Sequence, residues 1–192
     1  MKSLKEVSGG VCAPAGFVAG GIHCGIRKNK QKKDFALIMS KVPCAAAGVY
    51  TQNLVKGAPV VVTKRNLSDG VAQAIICNSG NANTCNKDGE AVAEEMCGLV
   101  TKVSGIPAEN VVVASTGVIG LPLDITPMAD AIQQLYDSLG DDSQSAAEAI
   151  MTTDTVPKSV AVEFEAGGKL CHVGAIAKGV GMICPNMATT LI

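Results

Sequence analysis

Ser159-Val-Ala-Val-Glu-Phe-Glu165 and Leu170-Cys-His-Val-Gly-Ala-Ile176, joined by Ala166-Gly-Gly-Lys169, decide the fold class. The first run alternates apolar and polar side chains, the period of a strand. A Gly-Gly pair between two such runs reads as the turn of a β-hairpin. An antiparallel hairpin in a chain that also carries helices points to α+β layering.

Working outward, short β-branched runs recur at Phe35-Ala-Leu-Ile-Met39, Pro59-Val-Val-Val-Thr63, Ala74-Ile-Ile-Cys77 and Val111-Val-Val-Ala114. Each is bounded by turn formers, so each is expected to be a strand. Their near-continuous apolar character predicts sheets covered on at least one face by helices. Val92, Met96, Leu99, Val100 and Val103 follow helical spacing after Asp88-Gly-Glu90. A second helix is expected to start with Thr126 as N-cap and Pro127 at the first helical position. Met128, Ile132, Leu135 and Leu139 form its apolar stripe, and Gly140 ends it. A third is expected over 145–151, with Ser145 and Glu148 spaced as a capping box.

The 192 residues suffice for one domain with a real core, and 47% of them are hydrophobic. Only 3% are aromatic, with no Trp, so the core is to be built from Val, Ile, Ala, Leu and Met. The net charge of −1 predicts no polyanion partner. The one basic cluster, Arg27-Lys28-Asn29-Lys30-Gln31-Lys32-Lys33, reads as a solvated loop without the aromatic stacking partners of a nucleic-acid site. No apolar run approaches the ~18 residues of a membrane span, and Met1-Lys-Ser-Leu-Lys-Glu6 has no apolar signal region. Eight cysteines without a C-x-x-C pair read as buried free thiols in a reducing cytoplasm. His23 and His172 lack ligand spacing, so no metal is expected. No phosphate-binding glycine motif is present, and no cofactor is expected.

Chemistry concentrates at Lys178-Gly-Val-Gly-Met-Ile-Cys-Pro-Asn-Met187, followed by Ala188-Thr189. One reading is a Gly/Pro turn leading into a strand. The other is a self-cleavage junction. A threonine freed at its amino side becomes a nucleophile whose own α-amine serves as base. That amine titrates near pH ~8 and is partly neutral at pH 7. Cys184 is the thiol beside this junction.

Four segments together resemble the ornithine acetyltransferase (ArgJ) family: Asn78-Ser-Gly-Asn-Ala-Asn-Thr-Cys85, Ala114-Ser-Thr-Gly-Val-Ile-Gly120, Met151-Thr-Thr-Asp-Thr155 and Ala177-Lys-Gly-Val-Gly-Met-Ile-Cys-Pro-Asn-Met-Ala-Thr189. The similarity begins at Cys12-Ala-Pro-Ala-Gly-Phe17 and runs over nearly the whole chain. Val180 and Thr190 stand where serine and methionine are usual, and Ile176-Ala177 replaces a more usual Gly-Met. The resemblance implies β-sheets layered between helices, a DmpA/ArgJ-like sandwich. It implies a precursor that cuts itself between Ala188 and Thr189. Residues 1–188 would then be the α-chain domain and residues 189–192 the start of the β chain.

The resemblance also implies roles. Thr189 is the nucleophile that carries an acetyl group from N-acetylornithine to glutamate, with acetyl-CoA as a second donor in some members. Thr116 and Gly117 form the oxyanion hole, and Thr152 and Lys178 contact substrate together with Thr189. The working unit is the α chain with the β chain of the same precursor, as an α₂β₂ heterotetramer in arginine biosynthesis. From the residues alone, Thr116-Gly117 reads first as a turn held by a threonine hydroxyl, and a solvated surface lysine is the alternative for Lys178. Thr153 and Asp154 would cap the preceding helix, and Asn78–Asn83 would shape a loop. A self-processing hydrolase of similar fold, and a non-catalytic partner subunit, are the competing readings.

Overall fold

The computed structural model describes residues 4–179. Cys184, Ala188 and Thr189 lie outside the described residues. The central sheet has strands β2 (Phe17–Ile22), β3 (Phe35–Ala45), β4 (Val71–Asn81) and β5 (Val111–Val118) in the order β2-β3-β4-β5. β2, β3 and β4 pair antiparallel, whereas β4 and β5 run parallel. A parallel pair needs a crossover, and α2 (Gly89–Ser104) supplies it. A second sheet, of order β1-β6-β7, joins β1 (Lys5–Val7) to the hairpin of β6 (Lys158–Ala166) and β7 (Lys169–Ala177). The hairpin is as the sequence predicts: Ala166 faces Lys169, and Gly167 and Gly168 take φ of 57° and 73°. That double positive φ is what a two-residue hairpin turn with matching twist requires.

Residue alternation along β3, β4 and β5 splits the core in two. On one face Phe35, Leu37, Ile76, Val111 and Val113 pack with Met96 and Val100 of α2 and with Met128, Ile132 and Leu135 of α3 (Thr126–Asp137). On the other face Ala36, Cys77 and Ala114 meet Ala146, Ala147 and Ala149 of α4 (Ser143–Ala149) and Ile176 of β7. The helices thus cover both faces of the central sheet, and the expected α+β class holds. Small side chains on the second face let the backbones approach. A Cβ on Gly21 would lie 2.2 Å from the Ser145 carbonyl oxygen.

Four local expectations are corrected. Pro59–Thr63 lies in helix α1 (Ala58–Asn66), not in a strand. Pro59 sits in the first turn, where its missing N–H is harmless. Pro59, Val62 and Thr63 are buried while Val61 is 38% exposed, the helical spacing. Packing of that stripe overrides the strand preference of the Val-Val-Val run. Thr126 is not an N-cap. It is the first residue of α3 after Ile125, and Asp124 Oδ1 accepts its N–H at 2.9 Å. That helix ends at Asp137, short of Gly140, where the Ser138 hydroxyl donates to the Leu135 carbonyl at 2.7 Å. Ser145 and Glu148 form no capping box. Asp142 caps α4 by accepting the Ser145 N–H at 2.9 Å, and Glu148 pairs instead with Lys33 at 3.0 Å. Among the described residues no helix is long and apolar enough to cross a membrane.

Candidate active site

The parallel pair β4–β5 sets the floor of the site. Ser79 lies opposite Thr116 and Gly80 opposite Gly117, and the register slips at Asn81, which faces both Thr116 and Val118. Gly117 has φ 137°, a conformation L side chains rarely adopt. A Cβ there would stand 2.3 Å from the Gly80 carbonyl carbon and 2.6 Å from the Asn81 nitrogen. Both backbone geometry and close approach therefore demand glycine. Gly80 in turn has φ 125°, and the Arg27 side chain packs over it, with Cγ 3.0 Å from where its Cβ would be. Thr116 is buried, and alternation puts it on the Ala114 and Cys77 side of the sheet. α1 covers the start of the β5 edge. The Thr63 hydroxyl donates to the Val113 carbonyl at 2.7 Å and accepts its N–H at 3.0 Å. Asn66 Nδ2 donates to the Val111 carbonyl at 2.9 Å.

The asparagine-rich segment at the end of β4 is held by its own amides. Asn78 Nδ2 donates to the Asn81 carbonyl at 3.0 Å, and Asn81 Oδ1 accepts the Asn83 N–H at 2.8 Å. Asn81 Nδ2 reaches across to the Leu121 carbonyl at 3.0 Å, tying this turn to the segment after β5. Strand β4 nevertheless continues through Asn81, further than a loop from Asn78 implies. Among the described residues the buried Asn78 Oδ1 has no hydrogen-bond partner.

Lys178 follows β7 and is 8% exposed, so the solvated-surface reading is set aside. Its ammonium lies 3.5 Å from Asp154 Oδ2 and donates to the Gly179 carbonyl at 3.1 Å. Its charge also reaches Cys77, whose thiol burial pushes up to about 12, with Lys178 pulling the other way. Ile176, two residues earlier in β7, packs with Cys77 and Ala114, on the side of the sheet to which alternation assigns Thr116. Asp154 is the hub that sequence reasoning missed. Its side chain is 2% exposed. It accepts from Lys158 Nζ at 2.8 Å, from the Gly179 N–H at 2.6 Å and from the Thr152 N–H at 3.3 Å. Asp154 therefore does not cap the preceding helix. Burial pushes its carboxyl up, but Lys158, the two backbone N–H groups and Lys178 outweigh it and hold the group well below the usual carboxylate range.

Arg27 was expected to lie in a solvated loop, as Lys28–Lys32 do. It is instead half-buried, and Nη2 donates to the Met151 carbonyl beside Thr152. Its own turn is wound on the fully buried Asp34, which accepts from the backbone N–H groups of Cys24 at 2.6 Å and Arg27 at 2.8 Å. The signal in the sequence was a lone Asp34 ending a basic run directly before a strand. Thr152 is thus bracketed by Arg27 on its amino side and Asp154 on its carboxyl side. Two surface clefts, of about 500 Å³ around Leu54, Cys85 and Lys87 and about 440 Å³ around His23, Asp124 and Gln134, are lined by other residues. The chemistry-bearing groups do not lie in them. Among the described residues no group of His, Cys, Asp and Glu side chains could hold a metal ion.

This arrangement was compared with known proteins. Residues 18–192 match the family model described as "ArgJ family". The chain is 52% identical over 191 residues to the arginine biosynthesis bifunctional protein ArgJ of Symbiobacterium thermophilum, covering 98% of this chain and 48% of that protein. It is 45% identical over 187 residues to the glutamate N-acetyltransferase of Methanocaldococcus jannaschii, covering 96% and 45%. It thus spans about half the length of the curated relatives it matches. Among solved structures, the ArgJ protein of Bacillus halodurans superposes with TM-score 0.89 at 38% identity, covering 96% of this chain and 97% of that one. The ornithine acetyltransferase of Mycobacterium tuberculosis, complexed with ornithine, superposes with TM-score 0.88 at 36% identity, covering 98% and 100%. With the fold, the extent of the match and the identities in agreement, this chain belongs to the ArgJ family.

Proposed function

We propose that this chain is the amino-terminal part of an acetyltransferase that moves the acetyl group of N-acetylornithine to glutamate through an acetyl ester on Thr189. The precursor cuts itself between Ala188 and Thr189, and the enzyme works as the α chain with the β chain of the same precursor, in the cytoplasm. The cut is supported by a contrast of lengths. Curated relatives are matched over 48% of their length, whereas chains in solved relatives are matched over 97% and 100%. Free thiols at all seven described cysteines suit a reducing compartment.

In the first half-reaction the Thr189 hydroxyl attacks the acetyl carbonyl while its α-amine takes the hydroxyl proton. The tetrahedral oxyanion collapses, the amide C–N bond breaks, and the proton passes to the departing ornithine nitrogen. Glutamate's neutral amine then attacks the ester, its proton returns to the Thr189 oxygen, and acetylglutamate leaves. Thr116 and Gly117 stabilise the oxyanion in both halves, where losing one donor costs about 10²–10³ in kcat. Strand alternation supports this role. Val111 and Val113 turn backbone groups to the free edge of the sheet, where α1 meets them. Gly117 belongs to the same odd-numbered set and lies past α1. Lys178 and Thr152 contact substrate, the ammonium through a substrate carboxylate.

The single observation that carries the reading is that one buried carboxylate, Asp154, ties Thr152 to the distant Lys178 and Gly179. Ile176, two residues before Lys178, packs with Ala114 and Cys77, on the side of the sheet to which alternation assigns Thr116. The test uses the full-length precursor and its Thr189→Ala variant. A denaturing gel should show two pieces for the parent and one for the variant. The parent, given N-acetylornithine and labelled glutamate, should yield labelled acetylglutamate, and mass spectrometry should find the acetyl on the peptide beginning at Thr189. Free acetate without acetylglutamate would mean a hydrolase.

A further inference from the structure

We propose that Asp154 is a positioning residue: its buried carboxylate holds the Lys178 ammonium and the Gly179 backbone where Lys178 can receive a substrate carboxylate. The proposal rests on the reading of Lys178 as a substrate contact. Asp154 gathers donors from three places in the chain: Thr152, Lys158, and the pair Lys178 and Gly179. A buried ion pair is a poor source of stability, because desolvation offsets most of the attraction. Its use here is geometric. Lys158 sits tightly on Oδ1 at 2.8 Å from the solvent side, with its own side chain 45% exposed. Lys178 sits more loosely on Oδ2 at 3.5 Å from within, with its side chain 9% exposed.

An ammonium has three N–H donors. Among the described residues Lys178 directs them to Asp154 and to the Gly179 carbonyl, which leaves one for a further acceptor. A carboxylate ligand would supply that acceptor. Without the Asp154 charge, nothing described on that side of Lys178 keeps the ammonium from turning toward solvent. Thr152 and Lys178 would also lose their common anchor.

The test is kinetic and uses the full-length self-processed enzyme. Asp154→Asn keeps the shape and an oxygen for the Gly179 N–H but removes the charge. It should raise KM for N-acetylornithine at least about tenfold with kcat changed less than about threefold. In a Lys178→Ala background the same change should add no further loss, since a residue acting through Lys178 has nothing left to act on. Should Asp154→Asn fail to fold, Asp154→Glu carries the test, with the same KM rise at unchanged melting temperature and the same silence in the Lys178→Ala background. Losses that multiply in the double variant, or an unchanged KM in Asp154→Asn, overturn the proposal. An unchanged KM in Lys178→Ala overturns the reading beneath it, and with it the proposal. Normal cleavage at Thr189 in every variant separates both failures from a failure of the nucleophile assignment.

Discussion

Gly117→Ala is the perturbation whose cost can be followed from coordinates to rate. The new methyl would sit 2.3 Å from the Gly80 carbonyl carbon, 2.5 Å from its oxygen and 2.6 Å from the Asn81 nitrogen. All of these are backbone atoms, so no side chain can swing aside. Ordinary contact begins near 3.4 Å, and the strands must therefore part by roughly 1 Å. The φ of 137° adds strain of about 1–3 kcal/mol for any residue with a Cβ. Overpacking adds a further ~1–3 kcal/mol. A loss on the order of 2–6 kcal/mol is a large part of a typical ~5–15 kcal/mol stability. Whatever folds would carry the Gly117 N–H about 1 Å from its place, which costs on the order of 10²-fold in rate. The measurement is denaturant unfolding of the full-length protein together with turnover per folded molecule. Gly98→Ala is the control, because nothing lies within 4 Å of its added carbon in α2. It should gain about 0.5–1 kcal/mol from helix propensity. If Gly117→Ala unfolds within ~0.5 kcal/mol of the parent and turns over normally, the close approach of the two strands is not as described.

Further outcomes follow from single contacts. Thr63→Val should cost about 2–3 kcal/mol, because it strands the buried N–H and carbonyl of Val113, while Thr63→Ser should retain most of the stability. Asp142→Ala should cost about 1 kcal/mol through loss of the α4 cap. The Ser145 N–H holds the Asp142 carboxyl below its ordinary 3.8, so its contribution is full above that value and is lost as pH falls through the lower folded one. Acid titration of the melting temperature should show this slope in the parent and a shallower one in Asp142→Ala. Burial pushes the thiols of Cys77 and Cys97 up to about 12 and about 11, so iodoacetamide at pH 8 should leave both unlabelled until the protein is unfolded.

The sequence carried the fold where one periodicity dominated. The Gly167-Gly168 hairpin and the Met96 and Met128 stripes stand where alternation and helical spacing put them. It misled where a local preference opposed packing. Val60-Val61-Val62 reads as a strand, but Pro59, Val62 and Thr63 are buried as one helical stripe against β5. It also misplaced a helix start. The spacing of Ser145 and Glu148 reads as a capping box, but Asp142 accepts the bond from the Ser145 N–H. The roles proposed for Thr116, Gly117, Thr152 and Lys178 came from family likeness and not from spacing. Asp154 and Arg27 were not legible, because their roles come from contacts between segments with no mutual spacing in the sequence. Met151 is remote in sequence from Arg27, and Gly179 from Asp154.

The pairing of Lys5 with Glu163 joins nearly the first described residue to the hairpin near the other end. A contact of that separation must close a very long loop, and such contacts form late. During synthesis β1 is made first but has no mate until β6 has left the ribosome. Because β7 runs directly into Lys178 and Gly179, the hairpin that completes this sheet also carries those residues toward Asp154. Among the described strands the first acts as a clasp on β6, and a nascent chain stalled before Lys158 would carry a finished central sheet without the hairpin that leads to Lys178.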